Sequence, residues 1–418
     1  MTNKKIYEEV LKNAKSAETC TYGIYPKIMT YNVFKLDGTS LEKKPSDEDD
    51  PVTPDDPVDE YDPWDNPSTA EAIEVSVDNE SKLREALSMD YPNIDIWINN
   101  NIELTEQLII SNTTSNPDHI FCNICINLGN DISLNGNIND PLIINRCNSL
   151  SINGNGNIYN TNTSKQGNDA FYNDIGASVI ISGNTFGTDQ TTIGNTNHVN
   201  RGAAVRNLGY CRITGGKFTA IDNNYISGGY AYALINGSDN SQETKPTMHI
   251  DGENITVFGS MNGCVANNAG VVEIYNGDFN VNTSHSTKSY YAIWTTNDGD
   301  YTRTTIYGGT YHGVIAAVCT GVDDDNQDRS TASVTIVNGS FAAESGTPII
   351  LTKKPSVYGL EISINGGKYT GNGENPPVLE QFFPPEDDDG YYFITESGDE
   401  NYPWLVDYHV NPIEDSEI

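Results

Sequence analysis

The chain has 418 residues and carries a formal net charge of −35. Such an excess of acidic residues repels phosphate backbones, which excludes nucleic acid as a partner. No apolar run approaches the length of a membrane span, and the first residues lack the apolar stretch of a secretory signal, so we expect neither membrane insertion nor a signal peptide.

The first 45 residues form a segment of their own. They hold eight lysines against five acidic residues and begin with the pattern of a short amphipathic helix, with Ile6, Val10 and Leu11 on one face. Residues 46–68 follow, with ten acidic residues, five prolines and no basic residue. Because proline blocks helix formation and like charges repel, we predict an extended linker here.

The third region opens with a strand and a helix. Residues 73–77, IEVSV, have the alternation of a strand, and Asp78 or Asn79 is placed to cap the helix that follows. Leu83, Ala86 and Leu87 would form the apolar face of that helix. Beyond it the chain is rich in Asn, Thr and Gly, which predicts many short strands and little helix.

A short motif recurs through this third region, as in TIYGGTYHG (305–313) and SINGGKY (363–369). Seven copies align on an isoleucine and are spaced by 24 to 37 residues. Such variable spacing is typical of a solenoid whose loops differ between coils. The aligned residues are Ile181, Ile213, Ile250, Ile274, Ile306, Ile336 and Ile364.

Each position of the motif predicts a local conformation. Apolar and polar residues alternate up to the isoleucine, which predicts a half-buried strand. The second position after the isoleucine is always Gly or Asn, which tolerate the left-handed conformation, so we predict a sharp corner there. The predicted corner residues are Gly183, Gly215, Gly252, Asn276, Gly308, Asn338 and Gly366. The residues predicted to start the next wall are Phe186, Phe218, Ile255, Phe279, Tyr311, Phe341 and Tyr369.

A second set of segments precedes the motif copies, from AVRN (204–207) to IILT (349–352). Each ends in Asn or Thr. Stacked coils would bring these residues about 4.8 Å apart, the spacing at which amides and hydroxyls form ladders. The predicted ladder consists of Asn207, Asn236, Asn267, Thr295, Thr320 and Thr352.

These features predict one architecture for residues 69–395. A propeller blade would be longer and a leucine-rich repeat would contain helices, so we predict an all-β fold, a right-handed parallel β-helix of roughly 10–12 coils. The small segment 1–45 and the linker 46–68 would precede it. Residues 396–418, acidic and without Lys or Arg, would form a C-terminal cap or tail.

The helix-then-strand opening, the Asn/Thr ladder and the I-x-G-G-x-[FY] turns resemble the pectate-lyase-like β-helix superfamily over residues 69–395. A β-helix without a secretion signal, behind a short segment and an acidic linker, also resembles phage virion fibres and tailspikes. This resemblance implies a homotrimeric virion protein, made in the host cytoplasm, whose N-terminal segment binds other virion proteins. It further implies that the β-helix binds a host surface polysaccharide.

Two alternatives share this fold, because a fold does not define an activity. The first is a polysaccharide lyase or glycoside hydrolase. The second is a structural decoration protein of the capsid or tail that binds no glycan. We favour a binding protein over an enzyme.

Four outward-facing residues are the candidates for catalysis: Arg212, His249, Asp251 and Glu273. The last three fall on successive coils, which would place them within about 5–8 Å of one another. A glycosidase needs two carboxylates about 5–9 Å apart. A lyase of the resembled family would use a basic residue such as Arg212. The alternative is a solvated polar face without catalysis.

Aromatic residues are the candidates for glycan binding. Tyr290, Tyr291 and Trp294, together with the outward-facing Tyr307, offer ring faces on which sugars stack. Packing within the fold is the alternative for at least one of the first three.

Calcium is the one candidate cofactor. Asp323, Asp325 and Asp328 lie in a DDDNQD loop that lacks the glycine and the terminal glutamate of an EF-hand, so a solvated loop is the alternative. Cys122 and Cys125 have no second pair to complete a zinc site, and we interpret them as small buried residues of a strand.

Overall fold

The computed structural model describes residues 71–111, 123–162, 168–188, 202–220, 232–237, 245–259, 263–281, 291–296, 302–321, 332–345, 347–351, 360–371, 374–379, 382 and 390–410. The predicted attachment segment, residues 1–45, and the predicted linker, residues 46–68, lie outside these ranges and remain predictions.

Three long sheets make up the described chain. The first, sheet 1, has eleven parallel strands, each paired with the corresponding strand of the next coil. In spatial order its strands are β1 (Ile73–Val77), β2 (Asn93–Ile98), β5 (Asn123–Leu128), β8 (Leu150–Gly154), β11 (Ser178–Ser182), β14 (Tyr210–Ile213), β17 (Thr247–Ile250), β20 (Gly270–Ile274), β23 (Thr302–Ile306), β26 (Ala332–Ile336) and β29 (Leu360–Ile364).

Sheet 2 receives the chain after each corner and contains twelve strands, of which the last two are antiparallel. They are β3 (Ile102–Leu104), β6 (Ser133–Gly136), β9 (Asn157–Asn160), β12 (Thr185–Thr188), β15 (Gly216–Ala220), β18 (Ile255–Gly259), β21 (Asp278–Val281), β24 (Thr310–Gly313), β27 (Ser340–Ala343), β30 (Gly366–Tyr369), β32 (Trp404–Val410) and β31 (Gly390–Glu396).

Sheet 3 completes each coil with nine parallel strands. In chain order they are β4 (Leu108–Ser111), β7 (Ile143–Arg146), β10 (Phe171–Asn173), β13 (Val205–Asn207), β16 (Tyr232–Asn236), β19 (Gly263–Asn267), β22 (Tyr291–Thr296), β25 (Ala316–Gly321) and β28 (Ile349–Leu351). The chain passes from sheet 1 to sheet 2 to sheet 3 and back, so the fold is the predicted parallel β-helix. The eleven strands of sheet 1 agree with the predicted number of coils.

The core is built from aligned columns of side chains. The seven predicted isoleucines pair in register from Ile181 to Ile364, and all of them are fully buried. The column also continues towards the N-terminus through Ile152, Ile126 and Ile96. Because β-branched side chains fit a pleated, half-buried surface, this repeating isoleucine favours the strand in every coil.

The predicted corner position is wrong by one residue in most coils. Gly183 has the predicted positive φ, 81°, but Gly252 has no positive φ, and in five of the six later coils the positive φ falls on the third residue after the isoleucine. There it is found at Gly216, Gly277, Gly309, Gly339 and Gly367. The residue before it has another constraint, since a Cβ on Gly308 would lie 2.6 Å from the carbonyl oxygen of Tyr275. The corner therefore needs left-handed backbone at one residue and close approach of neighbouring coils at the other.

The aromatic wall residues form a stacked column inside sheet 2. Ring centroids lie 4.9 Å apart for Phe279 and Tyr311, 5.0 Å for Tyr311 and Phe341, and 5.1 Å for Phe341 and Tyr369. Both tyrosine hydroxyls donate to a carbonyl of their own corner, and burial raises the pKa of both groups well above the ordinary value. The sequence alignment is wrong at one coil, where Val257 rather than Ile255 pairs with Phe218 and Phe279.

A buried asparagine ladder runs through the ends of the sheet 3 strands, as predicted, and begins two coils earlier. Each asparagine Nδ2 donates to the Oδ1 of the next, at distances of 2.7, 2.7, 2.8 and 3.1 Å. The members are Asn145, Asn173, Asn207, Asn236 and Asn267. Thr295 and Thr320 extend the column, and all seven residues have no exposed surface.

The predicted last ladder residue, Thr352, lies outside the described residues. The alignment that placed it there is off by one, because Ile349 pairs with Val318 and not with Ala317. Leu351 consequently takes the position beside Thr320.

Each end of the solenoid has a distinct element. At the N-terminal end, helix α1 (Glu80–Leu87) is capped by Asn79, whose side chain accepts from the Lys82 N–H at 3.0 Å, and it buries Leu83 and Ala86, as predicted. At the C-terminal end, β31 and β32 form an antiparallel hairpin, and β32 pairs with the last parallel strand of sheet 2, β30.

Candidate functional site

The outward face of sheet 1 carries two polar columns across strands β14 to β26. The first column lies one residue before the buried isoleucines. Its members pair directly from coil to coil and are Arg212, His249, Glu273, Thr305 and Thr335.

The second column follows the isoleucines by one residue. Each of its backbone N–H groups donates to the isoleucine carbonyl of the preceding coil, which keeps the column in register. Its members over the same coils are Thr214, Asp251, Tyr275, Tyr307 and Val337. We call the two columns together the sheet 1 strip. Across its five strands the strip extends about 19 Å along the solenoid axis, given a strand spacing of about 4.8 Å.

At one end of the strip an arginine is held by a carboxylate. Nη2 and Nε of Arg212 lie 2.6 and 2.9 Å from Oδ2 of Asp251. The Asp251 side chain is only 9% exposed. Its second oxygen, Oδ1, is buried and accepts no hydrogen bond from any residue in the described ranges. A buried carboxylate oxygen without a donor is costly to desolvate.

Between strands β17 and β20, a histidine lies beside the second carboxylate. Nδ1 of His249 lies 3.2 Å from Oε2 of Glu273, and the Tyr275 hydroxyl donates to the same oxygen at 3.2 Å. The Glu273 side chain is 8% exposed. The imidazole also lies against the Tyr210 ring, with centroids 5.5 Å apart. Glu273 is therefore held between two donors and has little contact with solvent.

The centre of the strip is aromatic and open. Tyr275 and Tyr307 stack with ring centroids 4.5 Å apart and planes 10° from parallel. Tyr307 is 37% exposed, and Val337 on the next coil is 38% exposed. Because valine is much shorter than tyrosine, the outer part of the Tyr307 face that points towards Val337 extends beyond its neighbour in the column.

The predicted catalytic residues are thus brought together, but His249, Asp251 and Glu273 occupy two coils and not three. His249 lies on β17 and Asp251 directly follows that strand, whereas Glu273 lies on β20. Each of the two carboxylates is paired with a different basic group, Asp251 with Arg212 and Glu273 with His249. Arg212, the candidate base of a lyase, is the partner of Asp251.

The predicted aromatic residues divide between two places. Tyr307 lies in the sheet 1 strip, whereas Tyr291 and Trp294 lie on the outward face of sheet 3, stacked on each other at 5.3 Å. Tyr291 is 5% exposed and Trp294 is partly buried among apolar residues. Tyr290 lies outside the described residues. Sequence reasoning did not select Val337, although it occupies the same alignment position as Tyr307.

The calcium prediction falls on Asp323, Asp325 and Asp328, which lie outside the described residues. Within the described ranges, no three His, Cys, Asp or Glu side chains are grouped so that they could hold a metal ion. Cys125 is half-buried on the outward face of β5, and burial and the nearby Asp95 raise the pKa of its thiol to about 11. The thiol is therefore protonated at neutral pH and is a poor metal ligand.

The architecture places the chain in the class of parallel β-helix proteins. No protein-family model, no curated protein and no solved structure matches it. Within the described part of the chain, no helix is long and apolar enough to cross a membrane.

Proposed function

We propose that the chain is a virion fibre or spike of a phage and that the sheet 1 strip binds a host surface polysaccharide. The observation that carries this proposal is the stacked and partly exposed pair Tyr275 and Tyr307, next to Val337, on an otherwise polar face. Tyrosine combines an apolar ring with a hydroxyl, which suits the apolar faces and hydroxyl groups of sugars.

The shape of the strip supports a polymeric ligand. Its two columns run parallel to the solenoid axis and repeat the same positions on each coil. A linear glycan lying along the axis would meet Tyr275, Tyr307 and Val337 in turn, with the partly exposed Thr335 beside them as a hydrogen-bonding group. A single sugar would use only one of these positions.

Replacing Tyr307 by alanine is expected to weaken glycan binding by about tenfold, because it removes the most exposed ring of the strip. The measurement is a glycan array followed by calorimetric titration of the strongest-binding glycan. Tyr307→Phe keeps the ring, so its loss of binding free energy should be less than half of the loss measured for Tyr307→Ala.

Trp97→Ala is the matched control for this variant. Trp97 is 45% exposed and also faces outward from sheet 1, but on the N-terminal strand β2. It should leave affinity unchanged. If Trp97→Ala and Tyr307→Ala lose equal affinity, the sheet 1 strip is not the binding site. An array on which the protein binds no glycan would refute the proposed function.

The second candidate function is cleavage of the bound glycan, either by hydrolysis or by the elimination reaction of a lyase. It is favoured by one observation, the buried Asp251 Oδ1 that accepts no hydrogen bond from the described residues, on the coil next to Glu273. Glycosidases use two carboxylates about 5–9 Å apart, so two carboxylates on neighbouring coils are candidates for such a pair.

If the protein cleaves its glycan, Glu273→Gln is expected to lower the rate at least a hundredfold, because an amide cannot transfer the proton. The measurement is the appearance of reducing or unsaturated ends in the glycan selected on the array. Glu361→Gln, an exposed change on the outermost strand of sheet 1, β29, is the control. An unaltered rate in Glu273→Gln would show that Glu273 is not a catalytic residue. If the unmodified protein produces no new chain ends, the protein binds the glycan without cleaving it.

The assembly part of the proposal is a homotrimer. Light scattering of the full chain should give three times the 45.7 kDa mass of one copy. A monomer at micromolar concentration would contradict the trimeric spike without affecting the glycan site.

A further inference from the structure

We infer that the polysaccharide bound by the sheet 1 strip is uncharged, so that it is recognised through hydroxyl groups and ring faces and carries neither acid nor amine groups. This inference rests on the proposed glycan-binding function and specifies its substrate class. It follows from the charges on the strip and on the whole chain.

The chain as a whole disfavours an acidic polymer. With 58 acidic against 23 basic residues, its net charge of −35 repels a polyanion at any orientation. Local cations would have to overcome that repulsion. Of the basic groups described on this face, Arg212 is held by Asp251 at 2.6 Å and His249 lies 3.2 Å from Glu273.

One further cation lies at the border of the strip. Arg303 is exposed and precedes Thr305 by two residues on β23, so it faces the same side as Thr305 and Tyr307. It is a single positive charge on the surface of a protein whose net charge is strongly negative. Arg303 therefore serves as the test residue, because an acidic glycan on the strip would depend on it and an uncharged glycan would not.

The strip also offers little to an amine-bearing polymer. An ammonium group needs an accessible carboxylate, yet the side chains of Asp251 and Glu273 are 9% and 8% exposed and already have cationic or hydroxyl partners. The formal charges of Asp251, Glu273, Arg212 and the bordering Arg303 sum to zero when His249 is neutral. A polycation would be attracted by the protein's overall charge, but this attraction is not specific to the strip.

The exposed groups that remain are uncharged. Tyr275 and Tyr307 provide ring surface, Val337 provides apolar surface, and Thr335 provides a partly exposed hydroxyl. These are the groups expected for a ligand whose own surface consists of hydroxyls and C–H faces.

The test is an array of acidic glycans, each printed beside its carboxyl-reduced counterpart, and of amine-bearing glycans beside their N-acetylated counterparts. Full-length protein is applied at 20 mM and at 200 mM NaCl. We expect the strongest Tyr307-dependent signals on uncharged members, at least tenfold above their charged partners. The gap in the acidic pairs should narrow at high salt, because screening weakens the repulsion.

Arg303→Ala gives an independent readout. With an uncharged ligand, this variant should bind within twofold of the unmodified protein, whereas Tyr307→Ala loses binding. Tyr307-dependent binding that prefers an acidic member and is lost in Arg303→Ala would overturn the inference but keep the proposed function. Tyr307-dependent preference for an amine-bearing member would overturn it as well. An array on which no glycan binds through Tyr307 would refute the proposed function and this inference with it.

Discussion

Replacing Asn236 by alanine is expected to lower the free energy of unfolding by about 3–5 kcal/mol. The Asn236 amide donates to Asn267 Oδ1 at 3.1 Å and to the Ala269 carbonyl at 2.8 Å, and its Oδ1 accepts from Asn207 at 2.8 Å. The residue has no exposed surface. Alanine would leave a buried donor and several buried acceptors without these partners and would open a small cavity.

The measurement is denaturation by guanidinium, with the midpoint compared at an unchanged slope. Asn155→Ala is the control, because Asn155 also donates to another asparagine, Asn130 Oδ1 at 3.0 Å, but on the exposed surface. Solvent replaces that bond, so the control should cost less than about 1 kcal/mol. Equal and small losses in both variants would show that the buried ladder adds no stability beyond an ordinary surface bond.

Phe341→Ala is the second substitution with a large expected effect, a loss of about 3–5 kcal/mol. The Phe341 ring is fully buried and stacks between Tyr311 and Tyr369, with centroids 5.0 and 5.1 Å away. Its removal leaves a cavity in the middle of the column and exposes one face of both neighbouring rings to that cavity.

Tyr307→Ala is the matched control, since Tyr307 also stacks on a tyrosine, at 4.5 Å, but on the outer surface. It should cost less than about 1 kcal/mol while weakening glycan binding. If Tyr307→Ala loses as much stability as Phe341→Ala, the strip belongs to the structural framework. Weaker glycan binding by Tyr307→Ala would then result from unfolding.

The register of the β-helix was predictable because one residue type recurs at the paired position of successive strands in sheet 1. An isoleucine recurs at the same point in ten of the eleven strands of sheet 1, with Val75 in the first, and a one-residue slip would turn it out of the core. The corner was misplaced because both Gly and Asn tolerate a positive φ, so a column containing both satisfied the criterion. The next position holds glycine in the five coils where the positive φ falls there, at Gly216, Gly277, Gly309, Gly339 and Gly367. It holds Asn184 and Glu253 in the other two aligned coils, so this column was not uniform either.

The error at Ile255 has a different cause. In this coil Val257 follows Ile250 by seven residues, whereas the wall residue follows its isoleucine by five in the other six aligned coils. The longer turn is joined to the preceding coil by a hydrogen bond from the Gly216 N–H to the Asn254 carbonyl. A fixed spacing cannot detect such an insertion, since an apolar residue stands at both positions.

The candidate site was predictable only in part. The columns placed Arg212, His249 and Glu273 side by side, because the register follows from the isoleucines. Which acid pairs with which base depends on rotamers, and sequence periodicity contains no information on these. The exposure of Val337 depends on the sizes of its neighbours, so it too emerged only from the packed structure.

The two ends of the solenoid bear on how long this molecule can become. A parallel ladder presents open hydrogen-bonding groups at both termini, and stacked copies could in principle grow into a filament without a defined end. Here helix α1 stands at the first coil, and at the last coil β32 runs antiparallel to β30. The reversal changes the hydrogen-bond pattern from which another parallel coil would extend. The eleven strands of sheet 1 span about 50 Å, so within the described residues both ends of this stack are followed by an element other than a further parallel coil.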